Sequence, residues 1–439
     1  MELSKEGLKR AIGPAGLSAN VVNLVIGAGI FVLPPKVYES LGNGSIIAYL
    51  ACGVLIFLIM LCFAEVGCRV SKTGGIYAYT ESAFGPFIGF TIINLYGFGW
   101  GLGSDAAIIN ALGEMLATYW PVFNISYVKA VLFATSFILI AWVNVRGVQY
   151  GSWLVEFMTL AKIIPLGLLV LIGWGCVSSS NLLISGWPSP EQIGEASLFL
   201  FFVFGGAEGS LTASGEIKNP SRTVPAGVLW GITSVVVIYV SVHLVTQGIL
   251  GSQMITFKDA PLAEASRQIF GPAGTGLILV CLAISVWGAI SGDVLATSRF
   301  LFAASSDKLY PAFLSKIHPR FLTPYWAIIV YSLLGFLLSM TNTFKALAIL
   351  SSAAILITYL AVVLAAIKFR MDGKTVKGEG FMIAGGYTVH IVTLLIILWF
   401  LSHLSKQESY AMIITLSLFG LVYLINKLRK SGSNEQADG

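Results

Sequence analysis

The chain has 439 residues, 56% of them hydrophobic and only 11% charged, with a mean hydropathy of +0.85 and a formal net charge of +5. A soluble chain carries about a quarter charged residues, so this composition excludes a soluble enzyme or binding module and describes an all-α polytopic membrane protein. The basic residues sit in loops between apolar runs, and the positive balance therefore does not indicate nucleic acid.

Met1 to Arg10 is polar, and the apolar run after it is too long for a cleaved signal peptide. A helix needs about 20 apolar residues to cross the hydrocarbon. Runs of that kind lie near 12–38, 44–69, 86–119, 126–146, 153–177, 195–216, 225–250, 274–304, 323–341, 344–368, 381–404 and 409–428. They predict twelve spans with both termini on one side. With the N-terminus inside, nineteen lysines and arginines face the cytoplasm and six face outward: Lys36, Lys129, Lys258, Arg267, Lys345 and Lys406. This bias places both ends in the cytoplasm and the protein in a plasma membrane, and the compact loops favour a bacterial inner membrane. The longest external segment, Ser252 to Gly271, carries a helix-compatible stretch after Pro261 that fits a cap over a vestibule. The tail, 429–439, is polar and expected to be disordered.

Two spans carry the same defect. In the first, Asn23-Leu-Val-Ile-Gly-Ala-Gly-Ile-Phe-Val-Leu-Pro34 places Gly27 and Gly29 in mid-span and Pro34 beyond them. Glycine weakens a helix and proline removes a donor. Lipid offers no replacement hydrogen bonds, so a break at that depth is tolerable only where it lines a cavity. In the sixth, Phe199 to Ser210 holds Gly205, Gly206 and Gly209 around the charged Glu208. Glycine in a membrane span also serves close helix packing. Matching breaks five spans apart point instead to an inverted-repeat transporter with its site at the breaks. The expected organisation is one transporter domain over 1–428, with a first repeat at about 12–177, a second at about 195–368, and appended helices at 381–428.

These stretches resemble the amino acid–polyamine–organocation (APC) superfamily of transporters. Gly27-Ala-Gly-Ile-Phe31 followed by Pro34 is similar to that family's first-helix break. Phe202-Val-Phe-Gly-Gly-Ala-Glu208 with Glu216-Ile-Lys-Asn-Pro-Ser-Arg-Thr-Val-Pro225 resembles its sixth helix and the loop after it. Gly74-Gly-Ile-Tyr-Ala-Tyr79, Ala296-Thr-Ser-Arg299, Asp307-Lys-Leu-Tyr-Pro311 and His318-Pro-Arg-Phe-Leu-Thr-Pro324 fit as well, while Ser71-Lys-Thr73 departs where members often carry a proline. The resemblance implies the five-plus-five (LeuT-like) fold with two helices appended, and alternating access around the breaks in helices 1 and 6.

For an α-amino acid, the N–H groups of Ala28, Gly29 and Ile30 suit the carboxylate. Carbonyls around Val25 and Phe204 suit the ammonium, with Gly205 and Ala207 beside them. Phe202 resembles the aromatic that closes over substrate in this family. Lys162 lies about 13 Å inside its span at 1.5 Å per residue, where a lone charge marks function unless it snorkels to the interface. The resemblance gives it the place of a bound sodium ion, with proton release as a further role. Asp293, about 15 Å deep by the same rise, holds a position that is aromatic in the resembling arginine–agmatine exchangers. It either pairs with a cationic substrate side chain or serves as a structural partner for Lys162 or for the broken backbone. Glu208 either carries a proton or ties down the unwound segment, and Arg299 belongs to an inner gate with Glu216 or a loop acid.

The reading is a sodium-independent secondary transporter of L-amino acids, an exchanger or a proton symporter; the alternative is an exchanger for cationic amino acids or polyamines. A channel lacks a visible filter, and no His, Ser or Cys constellation supplies an intramembrane enzyme or receptor chemistry. The five cysteines show neither metal nor paired spacing, so no metal or cofactor is expected. None lies between spans three and four, where heavy-chain-linked animal members of the resembling superfamily carry their anchor, so the resemblance implies no heavy-chain subunit. The substrate and the lipid bilayer are the expected partners.

Overall fold

A computed structural model describes residues 12–70, 75–147, 152–184, 186–211, 217–306, 309–341, 343–373 and 381–435. Glu216 and the motif residues Ser71–Gly74, Asp307 and Lys308 lie outside them. The described chain is helical, with no strand and one isolated parallel bridge from Ile12 to Ile217. Seven stretches among the described residues are long and apolar enough to cross a membrane: Pro34–Arg69, Ser126–Val145, Met158–Cys176, Pro220–Ile255, Pro272–Ser306, Phe344–Met371 and Lys406–Lys427. Tyr325–Ser339 and Thr388–Leu401 are shorter apolar helices. Large apolar side chains such as Leu171, Trp230, Ile138 and Ile414 lie two-thirds or more exposed on the outside, as lipid contact requires.

The first, third and sixth apolar runs are not single α-helices, each for a local reason. The first divides into α1 (Pro14–Val25), α2 (Gly29–Val32) and α3 (Pro34–Leu41), with Ile26 leaving helical geometry at ψ 85°. Leu33 keeps helical angles, so α2 and α3 form one rod bent at Pro34 and Pro35. After α4 (Ile46–Arg69) and α5 (Ile76–Phe84), the third run is α6 (Pro86–Asn94), a π-helical segment Leu95–Leu102, and α7 (Gly103–Tyr119). Two helices follow, α8 (Ser126–Val145) and α9 (Ser152–Gly173), the second with Pro165 inside it. The sixth run is α10 (Pro190–Leu200), started by a Ser189–Gln192 capping box. It tightens to a 3₁₀ turn over Phe201–Phe204, opens at Gly205 and Gly206, and resumes as a 3₁₀ turn over Ala207–Leu211.

The rest is α11 (Pro220–Leu250), α12 (Pro261–Phe270), α13 (Pro272–Ser306), α14 (Tyr325–Ser339), α15 (Phe344–Met371), α16 (Thr388–Leu401) and α17 (Lys406–Glu435). α1 lies along α11 because Gly227 and Gly231 leave room for Leu17 and Val21; a Cβ at either glycine would come within 2.7 Å of those side chains. Such small-residue stripes let membrane helices approach closely. α12 packs against α2, α9, α11 and α13, and it buries Leu262, Ala263 and Ala265. Its solvent-side Arg267 pairs with Glu264 at 2.7 Å, which holds the Glu264 carboxyl below its usual range.

Glu65, near the end of α4, is fully buried. It accepts from Arg69 at 2.8 Å, from Arg370 of α15 at 2.6 and 2.5 Å, and from the Ile383 N–H at 3.2 Å. Arg370 donates onward to the carbonyls of Ile383 and Gly386. The segment entering α16 is thus fixed to the main bundle by a shared ionic knot.

Candidate functional site

At the first break the helix runs out of acceptors and donors together. No carbonyl among the described residues accepts from the N–H groups of Ala28, Gly29 or Ile30. The freed carbonyls at the end of α1 are held one by one from other helices. Asn23 accepts from Lys162 Nζ of α9 at 3.2 Å, Val25 from the Tyr239 hydroxyl of α11 at 2.8 Å, and Ile26 from the Ser285 hydroxyl of α13 at 3.3 Å. Val25 also accepts from the Gly27 N–H at 2.7 Å, so both of its lone pairs are used. The expectation that the Val25 carbonyl stands ready for a substrate ammonium does not hold in this conformation. No N–H or hydroxyl of the described residues donates to the carbonyls of Leu24 or Phe204.

The second break faces the first. Gly206 sits at φ +106°, and a Cβ there would lie 3.1 Å from the Leu24 carbonyl oxygen. A Cβ on Gly29 would overlap the Val203 side chain, and one on Gly205 would overlap the Trp100 ring. Only glycine permits backbone to approach backbone in this way. Glu208, 2% exposed, ties the open turn: its Oε2 accepts from the Gly206 N–H at 3.1 Å and from the Tyr359 hydroxyl.

Between the breaks lies a cavity of about 580 Å³, within the size of small-molecule sites (roughly 300–1,000 Å³). Val25, Ala28, Gly29, Phe202, Gly205, Lys162, Asp293 and Arg299 line it. Ile30, Phe204, Ala207 and Glu208 lie behind its wall, buried. Phe204 packs edge-on to Tyr239. Leu24, Gly292, Ala296 and Arg299 are exposed, so the cavity opens toward the end where α1 begins and α13 finishes.

At the other end three aromatic rings close it. Trp100 meets Phe202 with ring centres 5.8 Å apart, and Phe344 stands edge-on to Phe202 at the same separation. Above Phe344 the Lys36 ammonium sits 4.6 Å from the ring centre and 3.8 Å from Glu114. Beyond this cover a second bowl of about 1070 Å³ carries Lys36, Glu114, Lys258, Asp259 and Lys345 on its walls. Asp105 and Glu114 are nine residues apart on α7, about 180° round the helix at 3.6 residues per turn, and they serve different places: Glu114 lines the bowl and Asp105 is fully buried.

Lys162 is 3% exposed and bonds α1, while the Cys281 thiol of α13 reaches the Lys162 carbonyl at 3.8 Å. No ion pair joins Lys162 to Asp293. Asp293 lines the cavity wall, and the buried Asp105 accepts at Oδ2 from the Tyr331 hydroxyl at 3.0 Å. The proposed partner of Arg299, Glu216, lies outside the described residues. Sequence reasoning missed the π-helical segment, which brings Tyr96 and Trp100 to the cavity. The run Gly97-Phe-Gly-Trp-Gly101 was the available signal, since π turns gather at functional sites.

A sequence profile of the family described as amino acid permease matches residues 12–427. The chain is 29% identical to the serine/threonine exchanger SteT of Bacillus subtilis, over 86% of this chain and 87% of that one. It is 25% identical to the methylthioribose transporter of the same species, over 98% and 96% of the two chains. Against the b(0,+)-type amino acid transporter 1 of Oryctolagus cuniculus it is 28% identical, over 75% and 69%. Matched along nearly its whole length, the chain belongs to the amino acid permease family of the amino acid–polyamine–organocation superfamily, whose members are membrane transporters and not enzymes.

Proposed function

We propose that this protein is a secondary transporter of L-amino acids that works without sodium, by alternating access, as an exchanger or a proton symporter in a bacterial plasma membrane. The observation that carries this reading is the pair of broken helices meeting at one cavity. Unpartnered N–H groups at Ala28 and Gly29 offer a carboxylate its donors, and the unclaimed carbonyl of Leu24 offers an ammonium an acceptor. Counting the three interrupted runs as spans gives twelve, arranged as two inverted five-helix repeats with α16 and α17 appended. With both termini cytoplasmic, the cavity opens inward and Trp100, Phe202 and Phe344 form the outer seal. Lys162 stands in for a coupling cation by holding the end of α1, which is the reason sodium is not needed. The chain works without a heavy chain.

Small neutral amino acids are the first candidates, in keeping with the relative that exchanges serine and threonine. A second reading, a carrier of cationic amino acids or polyamines, is favoured by one observation: Asp293 lies in the cavity wall. Uptake of a labelled amino acid panel into proteoliposomes, with and without sodium and with each member preloaded inside, tests both. Sodium-independent uptake stimulated by preloaded serine, threonine or alanine supports the first reading. Preference for arginine or ornithine selects the second, and an absolute sodium requirement overturns the account of Lys162.

A further inference from the structure

In the proposed site the first and sixth breaks hold the common part of an amino acid, and the order of residues along the sixth break fixes what stands between its two charged groups. At the carboxylate end Val203 and Phe202 lie against Gly29, where a Cβ would overlap the Val203 side chain. At the ammonium end Gly206 lies against the Leu24 carbonyl, 3.1 Å from where its Cβ would be. Gly205 comes between, and the six-membered ring of Trp100 covers it, so that a Cβ there would overlap the ring. Trp100 therefore stands beside the middle of the bound molecule, where the side chain leaves Cα. With both charged groups held by the breaks, and Lys162 of α9 closing the flank through its bond to Asn23, that side chain points to the wall built by the π-helical segment, α7 and α13.

The α13 part of this wall is small: Gly288 and Ala296 line it, and a Cβ on Gly292 would meet no atom within 4 Å. Beside Tyr96, Ser104 and Ile108, Trp100 is the bulkiest side chain of the wall. Its neighbour Gly99 packs against α15 so closely that a Cβ would lie 2.9 Å from the Ala354 side chain, which leaves the segment no room to draw back. Trp100 is 7% exposed, and its indole N–H donates to no acceptor among the described residues. Trp287, by comparison, gives its N–H to the Ser136 hydroxyl at 3.2 Å. A buried indole N–H ordinarily has a partner, and a molecule in the cavity that Trp100 lines can supply it. We infer that Trp100 is the specificity-determining residue: its ring admits side chains no larger than that of threonine, and its indole N–H donates to a side-chain hydroxyl. This inference rests on the reading of the cavity as the transport site and narrows its substrates to small hydroxyl amino acids.

Competition against labelled serine uptake, in proteoliposomes of the whole protein, ranks serine, threonine, alanine, leucine and arginine. Ligand-dependent thermal shifts in detergent rank the same panel without sealed vesicles. In the parent, serine and threonine should be preferred over alanine about five-fold and over leucine about ten-fold or more. Trp100→Ala should admit leucine, raising its affinity relative to serine about ten-fold or more. Trp100→Phe keeps a ring and lacks the N–H, so leucine should stay excluded while the advantage of serine over alanine falls about five-fold. An order of preference unchanged in Trp100→Ala by both measurements would overturn the inference, as would a parent that takes leucine or arginine as well as threonine. An unchanged serine advantage in Trp100→Phe refutes the hydrogen bond on its own, whether or not Trp100→Ala folds. Hydroxyl amino acids that bind the parent with this selectivity and are not carried would sink the transport reading and leave the role of Trp100 standing. A parent that binds no member of the panel would sink both.

Discussion

Tyr239 and Lys162 act on the same few atoms of α1, yet only one of them was visible beforehand. A lysine among apolar residues announces itself, since its charge is expensive at that depth. A tyrosine in a span has no such mark, and its bond to the Val25 carbonyl depends on how α11 lies along α1. Tyr239→Phe leaves the Val25 carbonyl with the Gly27 N–H as its one donor and should destabilise the protein by about 1 kcal/mol, the net worth of one hydrogen bond. A thermal midpoint in detergent several degrees lower would show it, and an unchanged midpoint would refute it. Lys162→Met keeps the volume and removes the charge. Exchange in liposomes should fall about ten-fold or more, as an intramembrane ionisable group with a functional role requires. Asp293 was legible as an unusual acid, and it lines the cavity.

The breaks in the first and sixth runs were readable because glycine and proline act locally, through their own backbone. Their mutual contact was not, because it depends on tertiary packing of Gly206 against Leu24. Gly206→Ala is a clean test. At φ +106° an alanine is strained by about 1–3 kcal/mol before any contact is considered. Its Cβ also meets backbone that has no side-chain freedom to yield. Transport should be lost while the protein still inserts, as judged by monodisperse elution with near-parent yield. The π-helical segment was missed for a related reason. Three glycines in a span read equally well as packing residues, and only the placement of Tyr96 and Trp100 on the cavity distinguishes the two uses.

For the molecule as a whole, one end of the cavity is open and the other sealed. A cysteine at Ala296, in a chain whose five native cysteines are replaced, should react with a membrane-impermeant thiol reagent from the cytoplasmic side only. Substrate should slow the reaction. Labelling from outside would reverse the assigned orientation. The knot at Glu65 is the opposite kind of feature, a fixed joint. Glu65→Ala would strand two guanidinium groups that are 7% and 6% exposed. Removing one member of a buried ionic group costs about 3–5 kcal/mol, so thermal unfolding should begin at a clearly lower temperature. That joint was out of reach of the sequence, because Glu65 and Arg370 are 305 positions apart.

The three carbonyls at the end of α1 are each held by a different helix, and this sets the character of the conformational change. In the proposed alternating access, α1 would part from α9, α11 and α13 by releasing the bonds at Asn23, Val25 and Ile26. Each bond is worth about 1 kcal/mol net, so intermediate tilts that keep one bond and lose two gain nothing. In that equilibrium, releasing all three bonds would cost about 3 kcal/mol unless other contacts replace them. A ligand moves such an equilibrium only by its difference in affinity for the two forms. A substrate that reaches the carbonyl of Leu24 beside these three bonds is well placed to supply that difference.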